Sequence, residues 1–179
     1  TLLIVDAYTS LGNAAEVAHD AVEPEDLRAR WAALARSVRA WALAHPHEWA
    51  LIYGSPVPRY DAPAHITTDP GTRVTRLLIA IGADAAARGL AGPATFTPAA
   101  RAAELARRAG QDLLQEPELA ASGMTDVELA NGLVVWTMLV GAVSAEVFEQ
   151  LGAETISDAG AFFEYQVATA ASVLFGPDR

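Results

Sequence analysis

TDVELANGLVVWTMLVGAVSAEVF, residues 125–148, decides the fold. Thr125 and Glu128 have the spacing of a capping box, in which the Thr oxygen and the Glu carboxylate satisfy backbone donors at the start of a helix. The helix they open is expected to run to about Gln150. Leu129, Leu133, Trp136, Val140, Val143 and Val147 repeat along it at helical spacing. Val127, Val134, Met138, Ala142 and Ala145 make a second stripe, and Val135 and Leu139 fill the angle between. From Gly132 to Ala145 the only polar side chains are Thr137 and Ser144. An ordinary surface helix has one apolar stripe and one wet face. This one is either central in its own domain or sandwiched between that domain and another subunit.

The end of the chain behaves similarly. Ser157 is placed to cap a last helix ending at Gly176-Pro177, with Phe163, Val167, Ala170 and Leu174 in one stripe and Phe162, Tyr165 and Val173 beside it. Two such helices point to a four-helix contact across a two-fold axis; the competing reading makes both of them plain core. The expected contact residues are Val135, Leu139, Val143, Phe163, Val167, Ala170 and Leu174.

Upstream, a first helix over residues 2–21 stops before Glu23-Pro24. A second, over 24–44, is expected to take Pro24 as its first residue, with Glu25 and Asp26 in the first turn. Leu27, Trp31, Leu34, Val38 and Trp41 form its buried stripe, while Arg28, Arg36 and Arg39 lie on another face. Pro46 opens a third helix over 46–53, closed by Gly54. Residues 55–68 read as a loop carrying Pro56, Pro58 and Pro63, of a length that often borders a functional cavity. Asp69-Pro70 is expected to open a fourth helix, with Val74, Leu77, Leu78, Ile81 and Ala85 in register and Arg88-Gly89 at its end. Thr97-Pro98 is expected to open a fifth, running to about Gln115. No segment alternates as a strand should, and there is no internal repeat. The expected fold class is all-α, one domain over 1–179 built of about seven helices.

Net charge is −10, with all twelve basic residues arginine. That balance weighs against nucleic-acid binding by this segment, because phosphate contacts need clustered basic groups. Cysteine is absent, which excludes disulfides and thiolate metal sites. No uninterrupted apolar run approaches the ~20 residues of a membrane span, and the first residues lack the pattern of a secretory signal. The expected location is the cytoplasm, with no membrane partner. The chain begins with Thr1 inside a predicted helix, so a preceding segment is expected.

Motifs for chemistry are sparse. His45-Pro46-His47-Glu48 places its ligands on different sides of a helix. Glu16-x-x-His19 is one half of a pattern that di-iron bundles use twice. His45 reads better as a helix cap and His19 as a surface residue, so no metal or other cofactor is expected. There is no nucleophile elbow, phosphate-binding glycine loop or paired-acid motif, so no catalytic residue is assigned and an enzyme is not expected. A small-molecule pocket between helices remains. Trp41, His45, Trp49, Tyr53, Tyr60, Leu77, Ile81 and Trp136 are its candidate lining, and His65 could join them; for each, ordinary packing is at least as good a reading.

WALAHPHEWALIYGSPVPRY (41–60) and WTMLVGAVSAEVF (136–148) resemble the C-terminal domain of TetR-family regulators, in the subgroup often called WHG. The order of elements along the whole chain is similar too. The opening Leu2, Ile4, Val5, Asp6, Ala7 and Tyr8 look like the helix linking the DNA-binding unit to the regulatory domain. The subgroup has His before Gly on the long helix, whereas Val140 precedes Gly141 here; Trp136 and Gly141 therefore carry over only as structural landmarks. The resemblance implies a homodimer through the last two helices and a cavity for an unknown small apolar ligand bounded by the middle ones. It implies a regulator, and a repressor in particular, that touches DNA only through a domain before Thr1, with residues 1–21 as the connecting helix. A helical protein-interaction module without an effector is the alternative, and an enzyme on a helical bundle comes third.

Overall fold

The computed structural model describes residues 1–55, 62–91, 100–152 and 155–176, which hold eight α-helices and no strand. They are α1 (Leu2–Asp20), α2 (Leu27–Ala44), α3 (Pro46–Tyr53), α4 (Ala64–Ala87), α5 (Ala100–Leu113), α6 (Pro117–Ala120), α7 (Asp126–Val147) and α8 (Ala159–Phe175). The fold is all-α. Thr97-Pro98 lies outside the described residues, as do Pro56 and Pro58.

Several helix ends sit where local chemistry puts them. The capping box forms: Thr125 Oγ1 accepts from Glu128 N at 3.3 Å, and Thr125 N donates to Glu128 Oε2 at 2.7 Å. Pro46 starts α3, and Gly89, in the left-handed region at φ 65°, follows the end of α4. Other expected starts are corrected. Asp26 caps α2 by accepting from Ala29 N at 2.9 Å, so Pro24 stays in the preceding turn. Asp158, not Ser157, caps α8 through Ala161 N at 2.8 Å. In both cases a carboxylate that satisfies a first-turn N–H outcompetes the neighbouring start signal.

α4 begins at Ala64, with Pro70 inside it, so residues 64–68 are helix rather than loop. A helical proline removes one donor. Around it, the Thr67 hydroxyl donates to the Pro63 carbonyl at 3.0 Å and the Thr72 hydroxyl to the Thr68 carbonyl at 2.9 Å. α6 went unread because one turn has no periodicity, and α7 ends at Val147, short of Gln150.

α7 lies at the centre, packed against α2, α3, α4, α5 and α8. It is long and apolar enough to cross a bilayer by length and composition, but its inner face is committed to these neighbours. Leu129, Ala130, Val135, Leu139 and Val143 are buried, whereas Leu133, Val134, Thr137 and Gly141 are exposed. Gly110 lets α5 touch the start of α7 backbone to backbone; a Cβ there would run into the Asp126 carbonyl. The stripe of α2 is buried throughout, and Trp31 Nε1 donates to the Val167 carbonyl on α8 at 2.9 Å. The arginines of α2 also reach back to the last helices. Arg36 makes a bidentate pair with Glu164 at 2.7 and 2.6 Å, and Arg39 one with Glu146 at the same two distances.

Candidate ligand cavity and contact faces

The aromatic residues of α3 do gather. The Tyr53 ring lies 4.4 Å from Trp49, 6.1 Å from Trp136 on α7 and 6.2 Å from Tyr8 on α1, centroid to centroid. Trp49 is fully buried, with Nε1 donating to Ser144 Oγ at 3.1 Å. Burial pushes the Tyr53 hydroxyl well above the ordinary phenol range, and the neighbouring Tyr8 adds to the shift. The cluster joins α1, α3 and α7, with the Trp49 indole N–H already committed to Ser144.

The remaining candidate lining divides. Trp41 and His45 stack on each other at 4.9 Å and 19°. They face an open groove of about 480 Å3 between α1 and α3, alongside Leu3, Asp6, His47 and Glu48. Trp41 Nε1 donates to Ser10 Oγ at 3.0 Å, and His45 Nδ1 reaches the Trp41 carbonyl at 2.9 Å, which ties it to the end of α2. Ile81 is fully buried in the core and Leu77 packs against it. His65 is exposed near the start of α4, and Tyr60 lies outside the described residues.

Trp136 instead borders a second, apolar cavity of about 80 Å3. Thr75, Leu78, Ile79 and Gly82 of α4 form one wall and Leu129, Gly132 and Leu133 of α7 the other. Leu113, Leu119, Met124 and Leu174 close it. The Thr75 hydroxyl and the Trp136 indole are the polar side-chain groups in this lining, so the site suits an uncharged, hydrocarbon-like molecule. Most of these residues were missed in the sequence. They are scattered aliphatics from five helices, and only packing brings them together.

The opposite face of α4 grips α1. Arg73 donates to Glu16 at 2.8 and 2.6 Å, to Asn13 Oδ1 at 2.7 Å and to the Thr9 carbonyl at 3.2 Å. Gly12, on the same face of α1, leaves room for the guanidinium; a Cβ there would stand 2.9 Å from Arg73 Cζ. The Arg73 hydrogen bond holds the Glu16 carboxyl below its usual range. A second tie lies near the far end of α1. The buried Arg30 donates to Asp84 of α4 at 2.5 Å and to His19 Nε2 at 2.9 and 3.1 Å. His19 is therefore tucked under α2 and is not the surface residue the sequence suggested.

The seven expected contact residues turn inward. Val135, Leu139, Val143, Phe163, Val167, Ala170 and Leu174 are all buried in the core of this chain, so none is left to meet a second subunit. Periodicity showed both helices to be apolar nearly all round, but it could not say which angle faces home. The outward side carries Leu133 at 44% exposure, Val134 at 48% and Tyr165 at 67%. An apolar-walled groove between α7 and α8 continues that side, lined by Ala142, Ala145, Phe162 and Gln166 among others.

Residues 31–170 match the family model described as the tetracyclin repressor-like, C-terminal domain. The chain is 36% identical over 185 residues to the HTH-type transcriptional regulator Rv1816 of Mycobacterium tuberculosis, and equally to HTH-type transcriptional regulator Mb1846 of Mycobacterium bovis. In each case the match takes in 97% of this chain and 71% of the relative. A solved structure of the regulatory protein SCO4313 superposes with a TM-score of 0.66 at 29% identity, over 95% of this chain and 70% of the other. The chain belongs to the TetR family of transcriptional regulators.

Proposed function

We propose that this chain is the effector-sensing and dimerising part of a TetR-type repressor, and that a small apolar ligand enters the cavity between α4 and α7. The observation that carries this reading is the position of α4. One face walls the apolar cavity, and the other holds α1 directly through Arg73 and indirectly through Asp84, whose partner Arg30 of α2 reaches His19. A ligand that shifts α4 would therefore shift α1, the helix that would lead to a DNA-binding domain like the one named in the relatives. A ligand acts only through unequal affinity for two states, and a helix tied to α1 by Arg73 and to Arg30 of α2 by Asp84 passes on such a difference. The second subunit would bind the outward side of α7 and α8, around Leu133, Val134 and Tyr165, leaving the buried stripes undisturbed. DNA contact would belong to the partner domain, in keeping with the charge of −10.

Gly132 supplies the test. A Cβ there would meet no other atom within 4 Å, so Gly132→Leu starts its side chain in open space at the cavity wall. A screen of small hydrocarbons and single-ring aromatics by thermal shift should find compounds that stabilise the natural chain and not Gly132→Leu. Equal stabilisation of both, or of neither, would refute the cavity as the sensor.

A further inference from the structure

We propose that the Met124 thioether is the movable wall that sets which apolar molecules the cavity accepts, and that Gly82 is the seat that makes room for it. The inference rests on the sensor reading and adds the size rule for the ligand. At about 80 Å3 the cavity is roughly half the ~150 Å3 space that takes benzene or xenon. A xenon-sized guest needs little adjustment, whereas an aromatic ring needs a wall to yield. Leu78 and Leu174 are members of the main core, so displacing either would open other contacts. Met124 lies outside that cluster, on the short connection between α6 and α7.

Its backbone is held while its side chain keeps its torsions. Met124 N donates to Ser122 Oγ at 3.3 Å, and the preceding Gly123 turns the chain at φ 73°. The side chain is unbranched and adapts to irregular space. It lies over Gly82, where an added Cβ would come 2.8 Å from Met124 Cε and 3.2 Å from Sδ. Any side chain at position 82 would therefore take the space that the thioether now fills beside the cavity. The thioether and a side chain at 82 compete for one space beside the cavity, and a guest that displaces the thioether gains that same space. The accepted class is uncharged and hydrocarbon-like, from one large atom up to one aromatic ring. A ligand rich in hydrogen-bonding groups would leave them unpaired against this lining.

The chain has two methionines, Met124 and Met138, so labelling the methionine methyls gives two resonances. Xenon and benzene are the probes. Benzene should move the Met124 methyl resonance and leave that of Met138 in place. Met124→Leu keeps the bulk but stiffens the wall, and should weaken benzene at least tenfold with xenon changed less than twofold. Gly82→Ala should weaken both at least tenfold, with circular dichroism confirming the fold of each variant. Benzene binding with a stationary Met124 resonance, or an unchanged ratio of benzene to xenon affinity in Met124→Leu, would overturn this proposal alone. Failure of both probes to bind the natural chain would overturn it together with the cavity's role as sensor.

Discussion

Gly141 separates the stability of one subunit from that of a dimer. It sits in the middle of α7 on the exposed side, and a Cβ there would meet no other atom within 4 Å. Glycine inside a helix costs about 0.8–1 kcal/mol relative to alanine. Gly141→Leu should therefore stabilise the isolated subunit by somewhat less than that, because leucine is a good helix former and its Cβ starts in open space on the exposed side. Across a two-fold contact the same change adds bulk at two symmetry-related places. Overpacking costs typically about 1–3 kcal/mol per site, so the dimer should lose about 2–6 kcal/mol. At about 1.4 kcal/mol per tenfold, that weakens association by roughly 30-fold to 20,000-fold. Sedimentation equilibrium over a range of concentrations measures the association. Urea denaturation of the dissociated protein measures the subunit. The expected pattern is opposite signs: a firmer subunit and a weaker dimer. An unchanged dimer would refute the placement of the second subunit on this face, as would a natural chain that stays monomeric at tens of micromolar.

Two further outcomes follow from the packing. Gly110→Ala should destabilise the chain by about 1–3 kcal/mol or more, because the new methyl meets the Asp126 carbonyl and backbone cannot turn aside; urea denaturation that shows no loss would contradict the α5–α7 crossing. The Arg73 and Arg36 pairs hold the Glu16 and Glu164 carboxyls below their ordinary value of 4.5. Their contribution is present above that value and disappears as pH falls through the lowered folded-state values. Both groups are well exposed, so Glu16→Gln should cost less than about 1 kcal/mol at neutral pH and flatten the acid limb of a melting-temperature profile; an unaltered limb would refute the assignment.

Much of this architecture is legible in the residues, and the misses have physical causes. Pro46 and Gly54 fix α3, and Thr125 with Glu128 fixes the start of α7, because these signals act within one turn. Pro70 misleads, since a proline that usually begins a helix here lies well inside one that starts at Ala64. Trp49, Tyr53 and Trp136, candidate lining by residue type alone, do meet. Trp41 and His45 face another groove, because α3 turns away from the end of α2. The cavity wall was illegible: Ile79, Leu113 and Leu119 look like any other aliphatic residues until their helices pack. The phase of α7 was hidden for a related reason. With neighbours on several sides, its inner face centres on Val135 and Leu139, the two positions that fall between the sequence stripes.

Backbone hydrogen exchange with and without saturating benzene tests the coupling most directly. Added protection is expected in two places: residues 75–82 of α4, where the guest binds, and residues 9–16 of α1, where Arg73 holds on. Protection confined to the cavity wall, with α1 unchanged, would contradict the claim that α4 carries the occupancy of the cavity to α1.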